Sequence, residues 1–306
     1  MDVSFLVESA AERGASDIHI VRGIPAKARI RGSLENLTNE PLTDADCENI
    51  ARQLAGSGFS EIEKIGELDM AKTIAGERIR INLFRQQGSV SAALRILSNE
   101  IPELDDLGLP QIVKEFPKYR KGIVLVTGET GSGKSTTLAA LINQINRTRS
   151  EHIITLEDPI EYIYTPDRCI INQREIGKDT ESYANGLRAI LREDPDIILI
   201  GEMRDLDTIE TAITAAETGH LVFATLHTNS AVETISRIVN VFPAERQEEI
   251  RMELSGALQA VLSQQLLVKA SGRGRVLACE VMIVTPALQN QIREGKAHQM
   301  QSSLLA

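Results

Sequence analysis

Residues 128–135, GETGSGKS, have the composition and spacing of a phosphate-binding loop, G-x-x-x-x-G-K-[ST]. Such a loop needs glycines because its backbone N–H groups must turn inward around a phosphate without Cβ atoms in the way. Lys134 supplies a mobile positive charge to the terminal phosphates, and the Ser135 hydroxyl is the expected Mg²⁺ ligand. The motif therefore predicts a site for ATP and Mg²⁺. Its predicted nucleotide-binding residues are Gly128, Glu129, Thr130, Gly131, Ser132, Gly133, Lys134, Ser135 and Thr136.

Short apolar runs alternate with helical segments from residue 121 onward, and these elements must position the loop. The runs GIVLVT, HIITLED, DIILIGE and HLVFATL are typical of strands that are covered on both faces of a parallel sheet. The loop follows the first run directly and precedes TTLAALINQI, a helix whose N-terminus favours anions. Because ligands collect at the carboxyl ends of parallel strands, side chains after the other runs are expected to face the same crevice. The sequence predicts an α/β fold here.

Carboxylates follow the second apolar run. Glu157 and Asp158 end it, Pro159 stops the strand, and Glu161 lies two positions further on. One of these acids could orient an attacking water molecule, which makes Glu157 and Glu161 candidate catalytic residues. The alternative is an acidic strand-to-loop turn without a chemical role, since Glu-Asp-Pro is a common turn opening.

The third run, DIILIGE, resembles the strand that carries a metal-binding acid in many phosphate-loop enzymes. Those enzymes have an Asp directly after the strand, whereas this chain has Gly201, and the acid is Glu202. Coordination of Mg²⁺ must then depend on Ser135 and water, with Glu202 nearby as a further candidate ligand. The alternative is a buried strand that ends in a capping acid.

Histidines stand at both ends of the fourth run. His227, at the carboxyl end, could donate to the γ-phosphate and so report whether it is present. A single histidine is often structural, and that alternative stays open for His227 and more so for His220. No H-x-x-x-H or Cys-His cluster accompanies them, so the pattern does not suggest a metal site.

The first hundred residues predict a small α+β domain with an antiparallel sheet. In GERIRINLF, polar residues alternate with Ile79, Ile81 and Leu83, as in a strand with one buried face. Arginines concentrate in this strand and the next, and they could neutralise charge on a leaving phosphate as arginine fingers. The alternative is a solvated strand face paired with nearby acids. The candidate arginines are Arg78, Arg80, Arg85 and Arg95.

The stretch NEIPELDDLGLP has the composition of a linker. The sequence thus predicts three parts, an N-terminal domain over residues 1–98 with its boundary near Ser98, a linker over 99–120, and an ATP-binding domain over 121–306.

Composition excludes several classes of function. Acidic residues outnumber basic ones, 43 against 33, and the net charge of -10 disfavours binding to a nucleic-acid backbone. The three cysteines lie far apart and encode neither a disulfide framework nor a zinc ribbon, which fits a reducing cytosol. The first residues lack the features of a signal peptide, and no apolar run approaches the roughly 20 residues of a membrane helix. We therefore expect no insertion into a membrane.

Taken together, these motifs resemble the type II and type IV secretion ATPases, in particular the branch that retracts type IV pili in twitching motility. The resemblance covers nearly the whole chain. Assembly and type II export members usually carry an extra N-terminal domain and a four-cysteine zinc motif, and neither is present here. The segment ALQNQIRE is similar to the AIRNLIRE helix of retraction members. The other motifs that carry the resemblance are ASDIHI, PELDDLGLP, GETGSGKSTT, TLEDPIEY, LREDPDIILIGEMRD and TGHLVFATLHTNSA.

This resemblance implies an N-terminal PAS-like domain followed by a RecA-like ATPase domain, assembled as a hexameric ring that couples Mg·ATP hydrolysis to subunit rotation. By the same resemblance Glu161 or Glu157 would activate water, Glu202 would be the acid of the third strand, and His227 would sense the γ-phosphate. The arginines of the first domain, Arg78, Arg80 and Arg95, would complete the site.

The implied partners are five further copies of the chain, a pilus platform protein of the inner membrane and, indirectly, the pilus filament. The implied location is cytoplasmic, peripheral at the inner face of the cytoplasmic membrane. Three other functions stay open at this point. They are a pilus assembly or type II secretion ATPase of the same family, a nucleotide-sensing accessory ring protein with little turnover, and a RecA-like nucleic-acid motor.

Overall fold

The structure, a computed structural model, describes residues 1–97, 100–271 and 274–304. The chain forms two compact units. The first comprises Met1–Glu100 with Glu161–Ile163, and the second comprises Ile101–Ile160 with Tyr164–Ala306. The predicted domain boundary near Ser98 lies outside the described residues.

The first unit contains one six-stranded sheet in the order β3-β2-β1-β6-β5-β4, and every neighbouring pair in it is antiparallel. The prediction of an antiparallel α+β arrangement is thus confirmed. Helices α1 and α2 contribute buried apolar side chains to the same core as the sheet. The elements are α1 Val3–Glu12, β1 Ala15–Ile20, β2 Lys27–Ile30, β3 Ser33–Asn36, α2 Asp44–Ala55, α3 Phe59–Ile65, β4 Glu67–Ile74, β5 Glu77–Gln86 and β6 Ser89–Leu97.

Strand β5 has the alternation that the sequence predicts. Ile79, Ile81 and Leu83 are fully buried, which places them on the core face of the sheet. Arg80, on the opposite face, is exposed, whereas Arg78 on that same face is buried. The period of two therefore fixes which way each side chain points, but it does not fix how much solvent each polar position meets.

The second unit contains a seven-stranded sheet in the order β13-β12-β7-β11-β10-β8-β9. All neighbouring pairs are parallel except β12 and β13. The elements are β7 Gly122–Thr127, α4 Lys134–Thr148, β8 His152–Glu157, β9 Ile170–Glu175, α5 Tyr183–Ile190, β10 Ile197–Ile200, α6 Leu206–Glu217, β11 Leu221–Leu226, α7 Ala231–Asn240, α8 Gln247–Ala257, β12 Leu258–Val268, β13 Arg275–Ile283, α9 Pro286–Arg293 and α10 Ala297–Leu304.

The four apolar runs form β7, β8, β10 and β11 at the centre of this sheet, as predicted. Strands β7, β10 and β11 are buried along their whole length, because helices cover both faces of a parallel sheet. Strands β9, β12 and β13 have no such continuous apolar run, and the sequence pattern did not predict them. They lie at the two sides of the sheet, where polar residues are tolerated.

The segment predicted as a linker is ordered by contacts within the second unit. It forms two short 3₁₀ segments, Leu104–Leu107 and Gln111–Lys118, which bury Val113 and Phe116. The guanidinium of Arg149, just after α4, donates to the carbonyl oxygens of Pro117 at 2.9 Å and Tyr119 at 2.7 Å. The residues from 101 to 120 are therefore a fixed component of the second unit.

Helix α9 begins and ends at residues whose types are typical of helix termini. Thr285 caps it by accepting a hydrogen bond from the Leu288 N–H at 3.3 Å, Pro286 is its first residue, and Gly295 follows it with a φ of 66°. Within the described residues, no helix has the length and apolarity that a membrane span needs.

Helix α6 starts shortly after Glu202, so its N-cap helps to fix the segment that carries this acid. Asp205 is the N-cap. Its carboxylate accepts from the Thr208 N–H at 2.9 Å and also from the Thr208 hydroxyl. Two donors on one carboxylate make this cap a strong fixed point.

We expect Asp205→Ala to lower the free energy of unfolding by about 1 kcal/mol, because the helix loses its capping acceptor. Chemical denaturation of the wild type and the variant measures the difference. Asp205→Asn is the matched control, since asparagine caps as well as aspartate. Equal stability of the alanine variant and the wild type would contradict the assigned role.

Candidate functional site

The loop between β7 and α4 has a backbone that only glycine tolerates at its start. Gly128, Gly131 and Gly133 have φ values of 142°, 80° and 93°. A Cβ atom on Gly128 would lie 2.2 Å from the backbone oxygen of Gln264 and 2.6 Å from the Ser132 hydroxyl oxygen. A side chain at this position would therefore collide with β12, so the loop keeps its shape only with glycine here.

Lys134 lies folded over the loop. It is buried, and its Nζ donates to the carbonyl oxygens of Gly128 at 2.8 Å and Glu129 at 2.9 Å. A buried ammonium requires such acceptors because it has lost its hydration. Ser135, the next residue, is exposed at the first turn of α4. The loop thus presents a positive charge and a hydroxyl beside a helix N-terminus, which is the arrangement that binds phosphate.

The polar groups around the loop fit a nucleotide phosphate. Among the described residues, the buried polar atoms without a hydrogen-bond partner include Thr127 Oγ1, Ser132 Oγ and Gln264 Oε1, all at this loop. Buried polar atoms are normally paired, so hydroxyls left unpaired here are consistent with a ligand that supplies acceptors. A cavity of about 390 Å³ lies beside the loop; Glu129, Asn229, Gln264 and Glu280 are among the residues that line it.

The residues also fit Mg²⁺ held largely by substrate and water. Over residues 1–97, 100–271 and 274–304, no group of three or more His, Cys, Asp and Glu side chains converges as a metal site. Mg²⁺ usually retains several waters and is bound through one or two protein oxygens plus substrate phosphates. The Ser135 hydroxyl is such an oxygen, and a site of this kind needs no cage of protein ligands.

Backbone hydrogen bonds join the carboxyl ends of the central strands into one edge. The Gly128 N–H donates to Leu226 O at 3.3 Å, and the Met203 N–H donates to Thr225 O at 3.0 Å. The Gly201 N–H donates to Leu156 O at 2.7 Å. These bonds connect the start of the phosphate loop with the ends of β11, β10 and β8, where the predicted acids and histidine lie.

Close packing explains why Gly201 follows β10 in place of a metal-binding aspartate. A Cβ atom at this position would lie 2.9 Å from the Tyr183 hydroxyl, 3.1 Å from Leu156 O and 3.3 Å from the Glu157 Cα atom. A side chain here would require the Tyr183 hydroxyl and the end of β8 to shift. The acid that follows this strand in the chain is Glu202.

Glu202 and His227 contact each other directly. The Glu202 carboxylate lies 3.2 Å from His227 Nε2 and 2.7 Å from an Nη atom of Arg204. Partial burial raises the pKa of Glu202, but the hydrogen bonds and charges of Arg204 and His227 outweigh this effect and hold the pKa below its usual value. Glu202 is thus kept ionised, with an exposed histidine at its side. The sequence singled out both residues, but it did not indicate their contact or the contribution of Arg204.

The two histidines of the fourth run differ in environment. His220, before β11, bonds through Nδ1 to the Ala215 carbonyl at 2.8 Å and thus fixes the turn that follows α6. It lies at the amino end of the strand, away from the edge that carries the phosphate loop. His220 thus has a structural contact in the turn before β11, whereas His227 lies at the edge of the sheet that carries the phosphate loop.

Glu157, at the end of β8, has hydrogen bonds that orient it. Its Oε1 atom accepts from the Thr155 hydroxyl at 2.8 Å and from the Gln173 amide at 3.2 Å. Glu161 belongs to the segment Glu161–Ile163, which groups with the first unit. The roles of Glu157 and Glu161 in water activation remain predictions.

Tyr183 is a further residue of this edge that the sequence pattern did not single out. Its hydroxyl lies against Gly201 at the end of β10. Burial raises the pKa of this hydroxyl, and the negative charges of Asp158, Glu202 and Glu157 raise it further. Tyr183 therefore keeps its hydroxyl protonated beside Gly201. The position of Tyr183 beside Gly201 depends on tertiary packing, which the sequence pattern does not reveal.

The candidate arginines all lie in the first unit. Arg80 and Arg95 are exposed and directly opposite each other on β5 and β6, and Arg95 pairs with Asp17 at 2.9 Å. Arg78 is buried, unlike the solvated strand face that was the alternative interpretation. The proposed role of these arginines in a nucleotide site remains a prediction.

Comparison with protein families gives a match along almost the whole chain. The model of the type II/IV secretion system protein family matches residues 2–303. The chain belongs to this family. The expected family of secretion ATPases is thereby confirmed.

The matches to individual relatives are similarly extensive. It is 45% identical over 306 residues to the type IV pilus retraction ATPase PilT of Pseudomonas aeruginosa, a match that covers 99% of this chain and 89% of PilT. It is 46% identical over 302 residues to the uncharacterized protein YggR of Escherichia coli, covering 98% and 91% of the two chains. A crystal structure of the pilus retraction motor PilT with bound ADP superposes with a TM-score of 0.94 at 49% identity, covering 99% of this chain and 89% of that one. The mixed α/β fold is therefore that of this family.

We expect Gly201→Ala to destabilise the protein by about 1–3 kcal/mol, because the new methyl group would crowd the Leu156 carbonyl and the Tyr183 hydroxyl and force them to shift. Thermal and chemical unfolding measure the change. Gly256→Ala is the matched control. That glycine lies in α8, and a Cβ atom there would meet nothing within 4 Å, so alanine should be neutral or stabilising by up to about 1 kcal/mol. Similar stability of the two variants would contradict the close packing at Gly201.

Proposed function

We propose that this protein is a Mg²⁺-dependent ATPase that powers retraction of type IV pili in twitching motility. The observation that carries the proposal is the buried Lys134 within its glycine cradle, at the edge that also carries Glu202 and His227. The extent of the similarity to PilT, named as a pilus retraction ATPase, supports the choice of filament and direction.

In this proposal, hydrogen-bond donors surround the phosphates of the substrate ATP. The loop N–H groups and the hydroxyl of Ser132 donate to phosphate oxygens, and Lys134 exchanges its backbone acceptors for the terminal phosphates. Mg²⁺, when bound at Ser135, neutralises charge on the phosphates. Glu202 stands nearby as a second candidate ligand or as an acceptor for metal-bound water.

In this proposal a carboxylate orients the water that attacks the terminal phosphate and takes a proton from it. Glu157 and Glu161 are the two candidates, and both belong to residues 157–164 at the end of β8, here called the acidic segment. His227 Nε2 bonds to Glu202 in this structure, and an incoming γ-phosphate competes with that carboxylate for the same N–H. Release of the phosphate restores the Glu202–His227 contact, which gives the site two distinct arrangements.

The larger assembly follows from the family resemblance. We propose a PAS-like fold for the first unit, a RecA-like fold for the second and a homohexameric ring. Arg78, Arg80 and Arg95 would then complete a nucleotide site when the domains close. The ring would act in the cytoplasm, peripheral to the inner membrane, on a platform protein and thereby on the pilus filament.

An accessory role with little turnover is the second candidate function. It stays a candidate because the chain is about as similar to the uncharacterized protein YggR as to PilT, so similarity within the family does not fix the turnover. The two functions share the phosphate loop and differ in turnover and in cellular effect. Measurements of ATP hydrolysis and of pili on cells separate them.

We expect Lys134→Ala to lower the rate of ATP hydrolysis on the order of 10²–10³-fold, because the phosphates lose their positive partner. A phosphate-release assay on the purified protein measures it. Lys118→Ala is the control, because that lysine is exposed and pairs only with Glu115 one turn away among the contacts described. Equal rates for the wild type and Lys134→Ala would refute the site, and ATP binding without hydrolysis by the wild type would favour the accessory role.

Deletion of the gene in its host should leave cells with surplus surface pili and without twitching. Retraction removes pili, so its loss lets them accumulate. Electron microscopy of pili and a motility assay report the two effects. Cells without pili would instead indicate an assembly ATPase, and unchanged pili and motility would favour a different filament or an accessory role.

A further inference from the structure

Two side chains of β9 hold the backbone on either side of the segment Glu161–Ile163. The Glu175 carboxylate accepts a hydrogen bond from the Ile160 N–H at 3.3 Å. The amide oxygen of Gln173 accepts from the Tyr164 N–H at 3.0 Å. The three residues between these anchors, with Glu161 first among them, are thus fixed at both ends by one strand.

Gln173 also reaches the other candidate base. Its amide nitrogen donates to Glu157 Oε1 at 3.2 Å, the oxygen that also accepts from Thr155. Thr155 and Gln173 are neighbours in the register of β8 and β9. One side chain therefore connects the carboxylate of Glu157 with the backbone at Tyr164, using its donor for the first and its acceptor for the second.

Glu175 is itself firmly held. It is 5% exposed, its carboxylate pairs with Lys178, and its own N–H donates to the Asp179 carboxylate at 2.8 Å. A buried carboxylate requires such partners because desolvation disfavours its charge. Its position is therefore set by the turn that follows β9 and can serve as a fixed reference for Ile160.

The sheet itself does not require these residue types. Glu175 stands directly opposite Glu157 in the register, and like charges at paired positions are destabilising. An apolar residue at position 175 would fill the buried site without that repulsion. The hydrogen bonds of Gln173 and Glu175 give a reason for these two polar residues. They bind the backbone N–H groups of Ile160 and Tyr164 and the carboxylate of Glu157.

We propose that Gln173 and Glu175, together the β9 clamp, are positioning residues that set the acidic segment for water activation. The inference rests on the proposed function, since it assumes that Glu157 or Glu161 acts on water. The clamp residues do not touch the substrate. They act by fixing the backbone at Ile160 and Tyr164 and the carboxylate of Glu157.

Substitutions at Gln173 separate its two bonds. Gln173→Glu keeps an oxygen for the Tyr164 N–H but removes the donor to Glu157 and adds a like charge, whereas Gln173→Ala removes both bonds. We expect kcat to fall on the order of 10- to 100-fold in each variant, because small displacements of a base reduce rates strongly. KM for ATP should stay within about twofold of the wild type, since the phosphate loop is untouched.

Two further variants serve as controls. Asn172→Ala removes the neighbouring amide, which bonds to His152 and not to the acidic segment, and should leave kcat unchanged. Glu175→Gln retains an acceptor for the Ile160 N–H and should keep much more activity than Glu175→Ala. Glu175→Gln loses the charge that pairs with Lys178, as Glu175→Ala does. If residue 175 served only stability through that ion pair, both variants would therefore lose similar activity.

Hydrogen exchange tests the clamp without reference to activity. In peptides spanning residues 158–165, the amides of Ile160 and Tyr164 should exchange on the order of 10-fold faster in Glu175→Ala and Gln173→Ala, respectively, than in the wild type. The exchange in Asn172→Ala should match the wild type.

The outcomes separate the clamp from the proposed function. If the wild type hydrolyses ATP while the clamp variants keep its kcat and its exchange, the clamp inference is overturned. If the wild type fails to hydrolyse ATP, the proposed function fails, and unchanged exchange in the variants would still overturn the clamp on its own. Slower turnover with unchanged KM and faster exchange would establish it.

Discussion

The close approach of β12 to the start of the phosphate loop is the constraint on which the site depends. Ser263 is paired with Thr127 at the end of β7, so Gln264 lies just beyond that pairing, beside Gly128. Its backbone oxygen occupies the space of a Gly128 side chain, and its amide donates to the Ser132 carbonyl at 3.0 Å. The loop is thus shaped from outside by a strand that is distant in sequence.

The other candidate functional side chains lie in the segments that follow the strands at the same edge of the sheet, so their positions depend on it indirectly. Parallel strands bring their carboxyl ends to one line, and the backbone bonds between them leave little freedom for the residues that follow. Glu202 illustrates the consequence. Close packing disfavours a side chain at Gly201, and the acid stands one residue later, where it contacts Arg204 and His227. Packing between β8 and β10 is thus one reason why the acid at this strand end is Glu202, which contacts Arg204 and His227.

The sequence predicted the parts that depend on local rules. The glycine spacing of the phosphate loop and the buried strands of the second sheet require only neighbouring residues, and the structure agrees with both. The contributions of Gln264, Gln173 and Tyr183 could not be predicted in this way, because each acts on a residue from a different strand or loop. Their residue types are common on surfaces, and only the tertiary fold gives them partners.

The position of β9 at the side of the sheet gives a reason why it holds the acidic segment. A strand within the sheet uses its backbone on both sides and its side chains for the core, whereas β9 pairs with β8 alone in the strand order. Sheet edges are usually protected by polar residues or by covering loops. Here the acidic segment passes beside β9, and Gln173 and Glu175 bond to it. The polar side chains that suit an exposed edge thus become the fixed points for a loop that must keep its carboxylates in place, so one choice of residues meets a structural and a functional requirement.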